Sequence, residues 1–479
     1  MEPPSFGLVE LQQRHEPVEA WRYVSTIAYH VYIEIDAQSL ISGQHMDWSM
    51  RVDVVGLRTT LHWSFHLDEE DGKYTDIISM IENKFTTQLP KGITIDDVHP
   101  DHLALVALLV CHPFTHQKIS IPWGVSERFA ESCSKISKYQ VDFEHTNVQP
   151  YNASNGRPAL AFSGGADSTA SLLVMPENTL SVFMDRPLKR KASMYNKSAA
   201  YATIKHAQKE GFEVMKLQCD VEYVRQPLGF PTDLVPSIPI LCLAASHNID
   251  SVAFGTVMES AYRIGHQKAR DYATSHHYRF WGRMFAAAGI PLYLPVSGVS
   301  EVGTSIIVNA TSFHDYTRSC IRGEWPKSCE QCWKCFRKNM LDAKIGGKTI
   351  SENYLLSGLM IPEVQKKMNA FPVSHENVLS WALDGTEGQI SQILSDRLEG
   401  TKRNLQFLSS FYPPSLTLIP EQHREETKKR LLGFLEPMSE EFWKEVTDHN
   451  MTDWLMSPTA IDAKERYDAF IHELSATNQ

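Results

Sequence analysis

A chain of 479 residues is long enough for two or three domains, and its 42% hydrophobic and 22% charged residues are ordinary for a globular protein. Its 46 Lys+Arg against 57 Asp+Glu give a formal net charge of −11, which argues against a broad nucleic-acid footprint and against attachment to an anionic membrane. The longest strongly apolar stretch, Leu103 to Cys111, is too short to span a bilayer, and the N-terminal MEPPSFGLVELQQRHEP lacks the basic and apolar regions of a secretory signal. A cytoplasmic address is therefore expected, with the eight cysteines as thiols or metal ligands rather than disulfides.

Residues 1–17 read as a polar leader. The alternation in YVSTIAYHVYIEIDA and in MRVDVVGLRTTLHWSFHLDEE predicts strands with one buried face. Asp71-Gly72 marks a turn, and Tyr74 to Phe85 has helical spacing. His102 to Cys111 predicts a buried helix, Val125 to Ile136 a second helix, and Tyr139 to Phe143 another strand. Residues 1–150 thus read as an α+β domain without a catalytic motif, in which His112, His116 and Trp123 belong to the edge of the core.

The stretch PYNASNGRP (Pro150 to Pro158) has the Asn, Ser, Gly and Pro content of a linker. Short strands then alternate with helices. The strands are expected at Ala159–Phe162, Leu180–Met184, Phe212–Leu217, Ser251–Gly255 and Leu292–Val296. Helices are expected at Asp167–Val174, Asn196–Glu210, Ser237–His247, Tyr272–Ala288 and Val302–Ala310, with Gly211 and Gly289 as C-caps. This alternation implies an α/β domain over residues 151–345 with a parallel sheet and ligands outside the carboxyl ends of its strands. From Gly346 the chain reads as a helical C-terminal region, residues 346–479, packed on that domain or on a second subunit, as in a homodimer.

The chemistry concentrates in RPALAFSGGADSTASLLVM, Arg157 to Met175. An apolar strand breaks into Ser163-Gly164-Gly165-Ala166-Asp167-Ser168 and resumes as a helix. Glycines let backbone approach a phosphate closely, and the first turn of a helix offers unpaired N–H groups at the positive end of its dipole. Ser163 and Ser168 add hydroxyl donors, and Asp167 is an acid placed to hold magnesium on phosphates. The lysine of a GxxxxGK[ST] loop is absent, so this is a different cradle, suited to the pyrophosphate of ATP.

A second constellation is Cys320-x8-Cys329-x2-Cys332-x2-Cys335. Four thiolates at this spacing suit a tetrahedral, closed and therefore structural zinc site, with an iron–sulfur cluster as the competing reading. The neighbouring Lys327, Lys334, Arg337 and Lys338 favour thiolates. Cys111, Cys133, Cys219 and Cys242 stand apart and read as packing residues.

The segment SGGADS resembles the SGGxDS signature of the PP-loop ATP pyrophosphatases, a superfamily that cleaves ATP between the α and β phosphates. Ending such a domain in C-x8-CxxCxxC followed by Arg337 makes it similar to the 7-cyano-7-deazaguanine synthase (QueC-like) family, over about residues 158–345. Phe183-Met184-Asp185, Leu234-Val235-Pro236, and Phe254-Gly255 with Glu259 stand where that family has its other motifs. The sequence departs from it at Arg186 to Lys191, RPLKRK, where the family has GQRH, and it lacks the Arg-Asn of the VPgRN stretch. Those segments surround the nucleobase in the family, so the resemblance speaks for the ATP chemistry more than for the substrate.

The resemblance implies a Rossmann-like, adenine nucleotide alpha hydrolase-like domain that adenylates a carboxylate on a 7-deazaguanine-type substrate. An amide and then a nitrile follow, or conjugation to an amine on a protein, as in bacterial anti-phage defence. It implies ATP, magnesium and zinc as cofactors. Ser163, Gly164, Gly165, Ala166, Asp167, Ser168 and Met184 would hold the nucleotide. Asp167, Ser163, Arg186, Lys189 and Arg263, with His266 and Lys268, would stabilise the phosphorus centre, and Glu259 would read a purine-like edge. Cys320, Cys329, Cys332 and Cys335 would hold the zinc. Two other readings compete: a sulfur-inserting PP-loop enzyme acting on tRNA, and a non-catalytic ATP-binding scaffold.

Overall fold

A computed structural model describes residues 50–68, 70–188, 195–398 and 403–477. The alternating segment at 23–37 and Lys189 lie outside the described residues. Chain order begins with a hairpin, Met50–Leu57 (β1) and Thr60–His66 (β2), whose antiparallel register places Val54 opposite Trp63. Trp63 in turn stacks on Phe85 at 5.5 Å. Ser79–Met80 (β3) and Lys84–Gln88 (β4) follow, then the helix Pro100–Cys111 (α1), Lys118–Ile121 (β5), the helix Glu127–Cys133 (α2) and Gln140–Phe143 (β6). The sheet order is β4-β2-β1-β5-β6. As its unbroken apolar run requires, α1 is buried from Asp101 to Cys111.

The helical spacing of Tyr74 to Phe85 is overridden. Residues 74–78 form turns, β3 pairs with Arg225–Gln226 (β10), and β4 pairs with β2. A helix of about three turns there would satisfy only part of its own backbone, and β-branched Thr86 and Thr87 lie beside two waiting strand edges. Asp220 adds a hydrogen bond from Thr86 N at 2.6 Å, and a bridge between Thr87 and Cys219 joins this sheet to the next.

The second sheet is parallel and five-stranded: Arg157–Ala161 (β7), Leu180–Asp185 (β8), Val214–Gln218 (β9), Ile249–Ala253 (β11) and Leu292–Tyr293 (β12). All five expected strands are present, within about two residues of their expected starts. Between them run Ala166–Val174 (α3), Ser198–Lys209 (α4), Ile238–Leu243 (α5), Met258–Ala261 (α6) and His276–Ala287 (α7), and Glu301–Asn309 (α8) follows the last strand. The order is β12-β11-β7-β8-β9. The chain moves outward from β7 in one direction through β8 and β9, and in the other through β11 and β12. The crossovers therefore diverge at the β7–β11 boundary and open a crevice at its carboxyl end.

Trp333–Ile345 (α9) leads into a helical region, including Glu352–Leu359 (α10), Pro362–Asn369 (α11), Glu376–Leu383 (α12), Gln389–Asp396 (α13) and Glu421–Leu431 (α14). Pro458–Thr477 is the last helix. One buried cluster runs from Met50 and Trp63 through Leu180 and Val252 to Leu405 and Val446, crossing positions 150 and 345 without a break. Cys111, Cys133, Cys219 and Cys242 are buried, and burial pushes the Cys219 thiol up to about 12, as packing residues require. No helix among the described residues is long and apolar enough to cross a membrane.

Candidate functional site

The loop Ser163 to Gly165 leaves β7 at the crevice and turns into α3. Gly164 has φ +74, and a Cβ there would lie 3.0 Å from Cα of Ala200. Both the backbone sign and the space demand glycine. Gly165 is the N-cap of α3 and has no side chain to cap it, so the amides of Ala166, Asp167 and Ser168 lack intrahelical acceptors. Inside the loop the Ser163 and Ser168 hydroxyls are 2.9 Å apart, and Ser168 also receives the Ser163 N–H at 3.2 Å. Ser163 is exposed, whereas Ser168 is buried and tied to Gly165 O at 3.0 Å. Ser168 thus shapes the loop, and Ser163 faces what the loop would hold.

Neighbouring elements press this turn into place. A Cβ on Gly255, just past β11, would lie 2.8 Å from Ser168 N and 2.9 Å from the Asp167 carbonyl carbon. Backbone cannot yield there, so Gly255→Ala should cost about 1–3 kcal/mol of stability by overpacking. Thermal unfolding measures this; an unchanged midpoint would mean that β11 and α3 are not in such close contact.

Asp167 is half-buried and accepts a hydrogen bond from Thr304 Oγ1 of α8 at 3.0 Å. Lys338 Nζ of α9 lies 3.9 Å from Asp167 Oδ1, 3.3 Å from Glu301 Oε2 and 3.4 Å from Ser305 Oγ. Arg337 grips the same Glu301 with Nη2 to Oε1 at 2.9 Å and Nε to Oε2 at 3.2 Å. His375 Nδ1, from the N-cap of α12, is 3.3 Å from Glu301 Oε1. Burial would raise the Glu301 acid, but Lys338, Arg337 and His375 outweigh it and hold the carboxyl well below its usual range.

Glu259 sits on the far side of Glu301. Its oxygens accept from Glu301 N at 3.0 Å and from Asn377 Nδ2 at 2.9 Å, and its side chain is sealed. Burial and the Glu301 charge push its acid well above the usual carboxylate range. A neutral Glu259 has a proton to donate, and Asn377 Oδ1, which otherwise has no partner, becomes its acceptor if the amide is flipped. Both Glu259 oxygens therefore face groups of the chain itself.

The other expected site residues separate into three situations. Met184 is buried within β8, next to Asp185, whose carboxylate is held by Lys197 at 2.5 Å and Tyr201 at 2.8 Å. Arg186 is engaged with Glu222 at 2.9 Å and lies 3.5 Å over the Tyr195 ring. Arg263 is exposed with left-handed backbone, φ 62, while His266 is half-buried beside His375 with ring centroids 6.3 Å apart. Lys268 is exposed and bridges to Asn450. Of the expected set, the loop residues come together with one another; Arg186 is turned to Glu222 instead.

The four cysteines converge. Their sulfurs all lie within 4.8 Å of one another, with Cys332–Cys335 at 3.5 Å and Cys329–Cys335 at 3.7 Å. Four thiolates about 2.3 Å from one ion are about 3.8 Å apart, so this set could hold a single metal such as zinc. A cluster of several irons would force its ligands wider. Cys332 is the N-cap of α9 and accepts from Cys335 N at 3.4 Å, while Cys320 accepts from the amides of Arg322 and Cys329 at 3.4 and 3.5 Å. Arg337 and Lys338, expected to favour these thiolates, spend their charge on Glu301 instead, because α9 carries them to the crevice.

Thr304, Glu301, His375 and Asn377 were not singled out by sequence, and Lys338 was read only as a cation beside the cysteines. The first four carry no signal in the sequence, because their meaning depends on contacts across more than 35 residues of chain.

A family of unknown function (DUF6395) matches residues 280–450, from α7 through the cysteine cluster, Arg337, Lys338 and His375, without reaching the glycine loop. No curated protein and no solved structure matches the chain.

Proposed function

We propose that the chain is a PP-loop ATP pyrophosphatase similar to the 7-cyano-7-deazaguanine synthases, activating a carboxylate on a 7-deazaguanine-type substrate. The observation that carries this reading is the Ser163 to Ser168 loop, whose free amides, hydroxyl and carboxylate stand at the crevice where the strand order diverges. In the reaction a carboxylate oxygen bonds to the α-phosphorus of ATP, the α–β bridging bond breaks, and pyrophosphate leaves with its electron pair. An amine then attacks the acyl carbon and AMP departs; if the amine is ammonia, the resulting amide oxygen can be adenylated by a second ATP and AMP lost to give the nitrile. An amine on a protein would instead give a stable conjugate, the form suited to a defence role.

The chain's own part is positioning and charge. Loop amides and Ser163 would orient the β and γ phosphates, and Lys338, held by Glu301, would keep a cation beside them. Asp167 is the carboxylate able to hold magnesium, which supplies charge neutralisation on the pyrophosphate. The cysteines would hold zinc as a closed structural site, and by capping α9 they fix the helix that delivers Lys338.

Release of pyrophosphate and AMP from α-labelled ATP with 7-carboxy-7-deazaguanine tests this. Turnover should fall about 100-fold or more in Asp167→Ala. Wild-type turnover in that variant would displace the ATP site from the loop, and no release with any deazaguanine would remove the substrate assignment.

A further inference from the structure

A cavity of about 580 Å³ lies between α8, α9 and the cysteine loop, and it meets the glycine loop at Ala166. Its charged walls are unlike the chain as a whole. Arg318, Lys334, Lys338 and Lys348 line it against one carboxylate, Asp342, and the sulfurs of Cys320 and Cys335, in a protein whose acids outnumber its bases. Lys338 is already neutralised by Glu301, but the other three cations have no carboxylate within ion-pair distance among the described residues.

Arg318 is fixed without being neutralised. Its guanidinium donates to three carbonyl oxygens, of Pro326 at 3.2 Å, His314 at 3.0 Å and Thr317 at 2.8 Å. Carbonyls orient the fork without an ion pair, and the charge also acts on Asp342 across the cavity. Lys334 comes from the first turn of α9 and Lys348 from just beyond its end, so the three cations approach from three separate segments. A second, independent sign is Thr317. It is 9% exposed, lines the cavity, and its hydroxyl has no hydrogen-bond partner. A buried hydroxyl left unsatisfied is costly, and a ligand oxygen would remove that cost.

From this geometry we infer that the cavity is a binding site for a multiply charged phosphate anion: pyrophosphate or the phosphates of a small phosphorylated molecule. One carboxylate would saturate Arg318 alone, whereas three cations from three directions match an anion carrying several charges and many acceptor oxygens. The cavity touches the glycine loop at one residue, so the site does not depend on the loop being an ATP cradle.

The test uses the full metal-loaded chain and inorganic pyrophosphate as the probe, with binding followed by calorimetry. The double variant Lys334→Glu with Lys348→Glu, both exposed positions, should weaken binding by about tenfold or more, because two charge-assisted contacts become repulsive. A pyrophosphate site sensitive to this double variant should remain when Ser163→Ala removes the loop's own hydroxyl contact. Unchanged affinity in the double variant overturns the inference, as does complete loss of pyrophosphate binding in Ser163→Ala. Thr317→Val, which keeps the shape and removes the hydroxyl, should also weaken binding. Competition between pyrophosphate and ATP would make the anion the reaction's leaving group, and simultaneous binding would make it a separate phosphorylated ligand; the loop assignment itself is tested separately by AMP formation.

Discussion

Replacing Glu301 by alanine should lower the stability of the fold by about 3–5 kcal/mol, read from the urea midpoint and slope. Glu301 and Arg337 are nearly sealed, with side chains 6% and 5% exposed, and Lys338 at 7% shares the same carboxylate. Removing the acid leaves two buried cations that face each other, with Asp167 and Asp342 as the carboxylates still acting on Lys338. Attraction in a low-dielectric interior roughly offsets desolvation while the set is complete, but a broken set keeps the desolvation cost alone. Glu259→Gln gives the contrast. Glu259 is the carboxyl held neutral by burial and by Glu301, and an amide of the same shape keeps its acceptor for Glu301 N–H. Its cost should stay below about 1 kcal/mol, within the range of one neutral hydrogen bond. Equal losses in the two variants would contradict the assignment of charge to Glu301.

Cys332→Ser should remove the metal while keeping the cap of α9. Metal analysis of the purified chain should find about one zinc and no inorganic sulfide in the wild type, and none in the variant. Cys332 has two jobs, as ligand and as the N-cap that receives Cys335 N, and serine can perform the second alone. The loss therefore isolates the metal. Because ligand thiolates are brought together only in the folded chain, metal affinity is folding free energy, and a fall of several kcal/mol is expected on chelation or in the variant. Lys338 lies three residues beyond Cys335 on the same helix, so pyrophosphate release from ATP should fall in parallel. Iron with sulfide in the wild type, or full stability without metal, would refute a single structural ion.

Sequence by itself determined the periodic parts of this protein and the two compact motifs. The five parallel strands are short apolar runs with glycine or loop punctuation, and such patterns are local. The same holds for α1, whose buried residues are consecutive, and for the cysteines, which fall within sixteen residues. The turn from Ser163 to Ser168 was legible because its glycines and the helix start lie within six consecutive residues. Tyr74 to Phe85 was misread because its helical spacing is real, and two strand edges outside the segment, β2 and β10, capture it.

Tertiary structure alone decided which charges meet. Arg186 and Glu259 look alike on paper as polar residues near strand ends, yet one pairs with Glu222 and the other is sealed against Glu301 and Asn377. Lys338, adjacent to a metal motif, lies 3.9 Å from Asp167 of the glycine loop, because a helix capped by Cys332 carries it there. His375 and Asn377 come from a helical region with no motif of its own. Burial is what gives these contacts their strength, and burial is a property of the packed chain: the same charges in water would attract one another by little more than thermal energy.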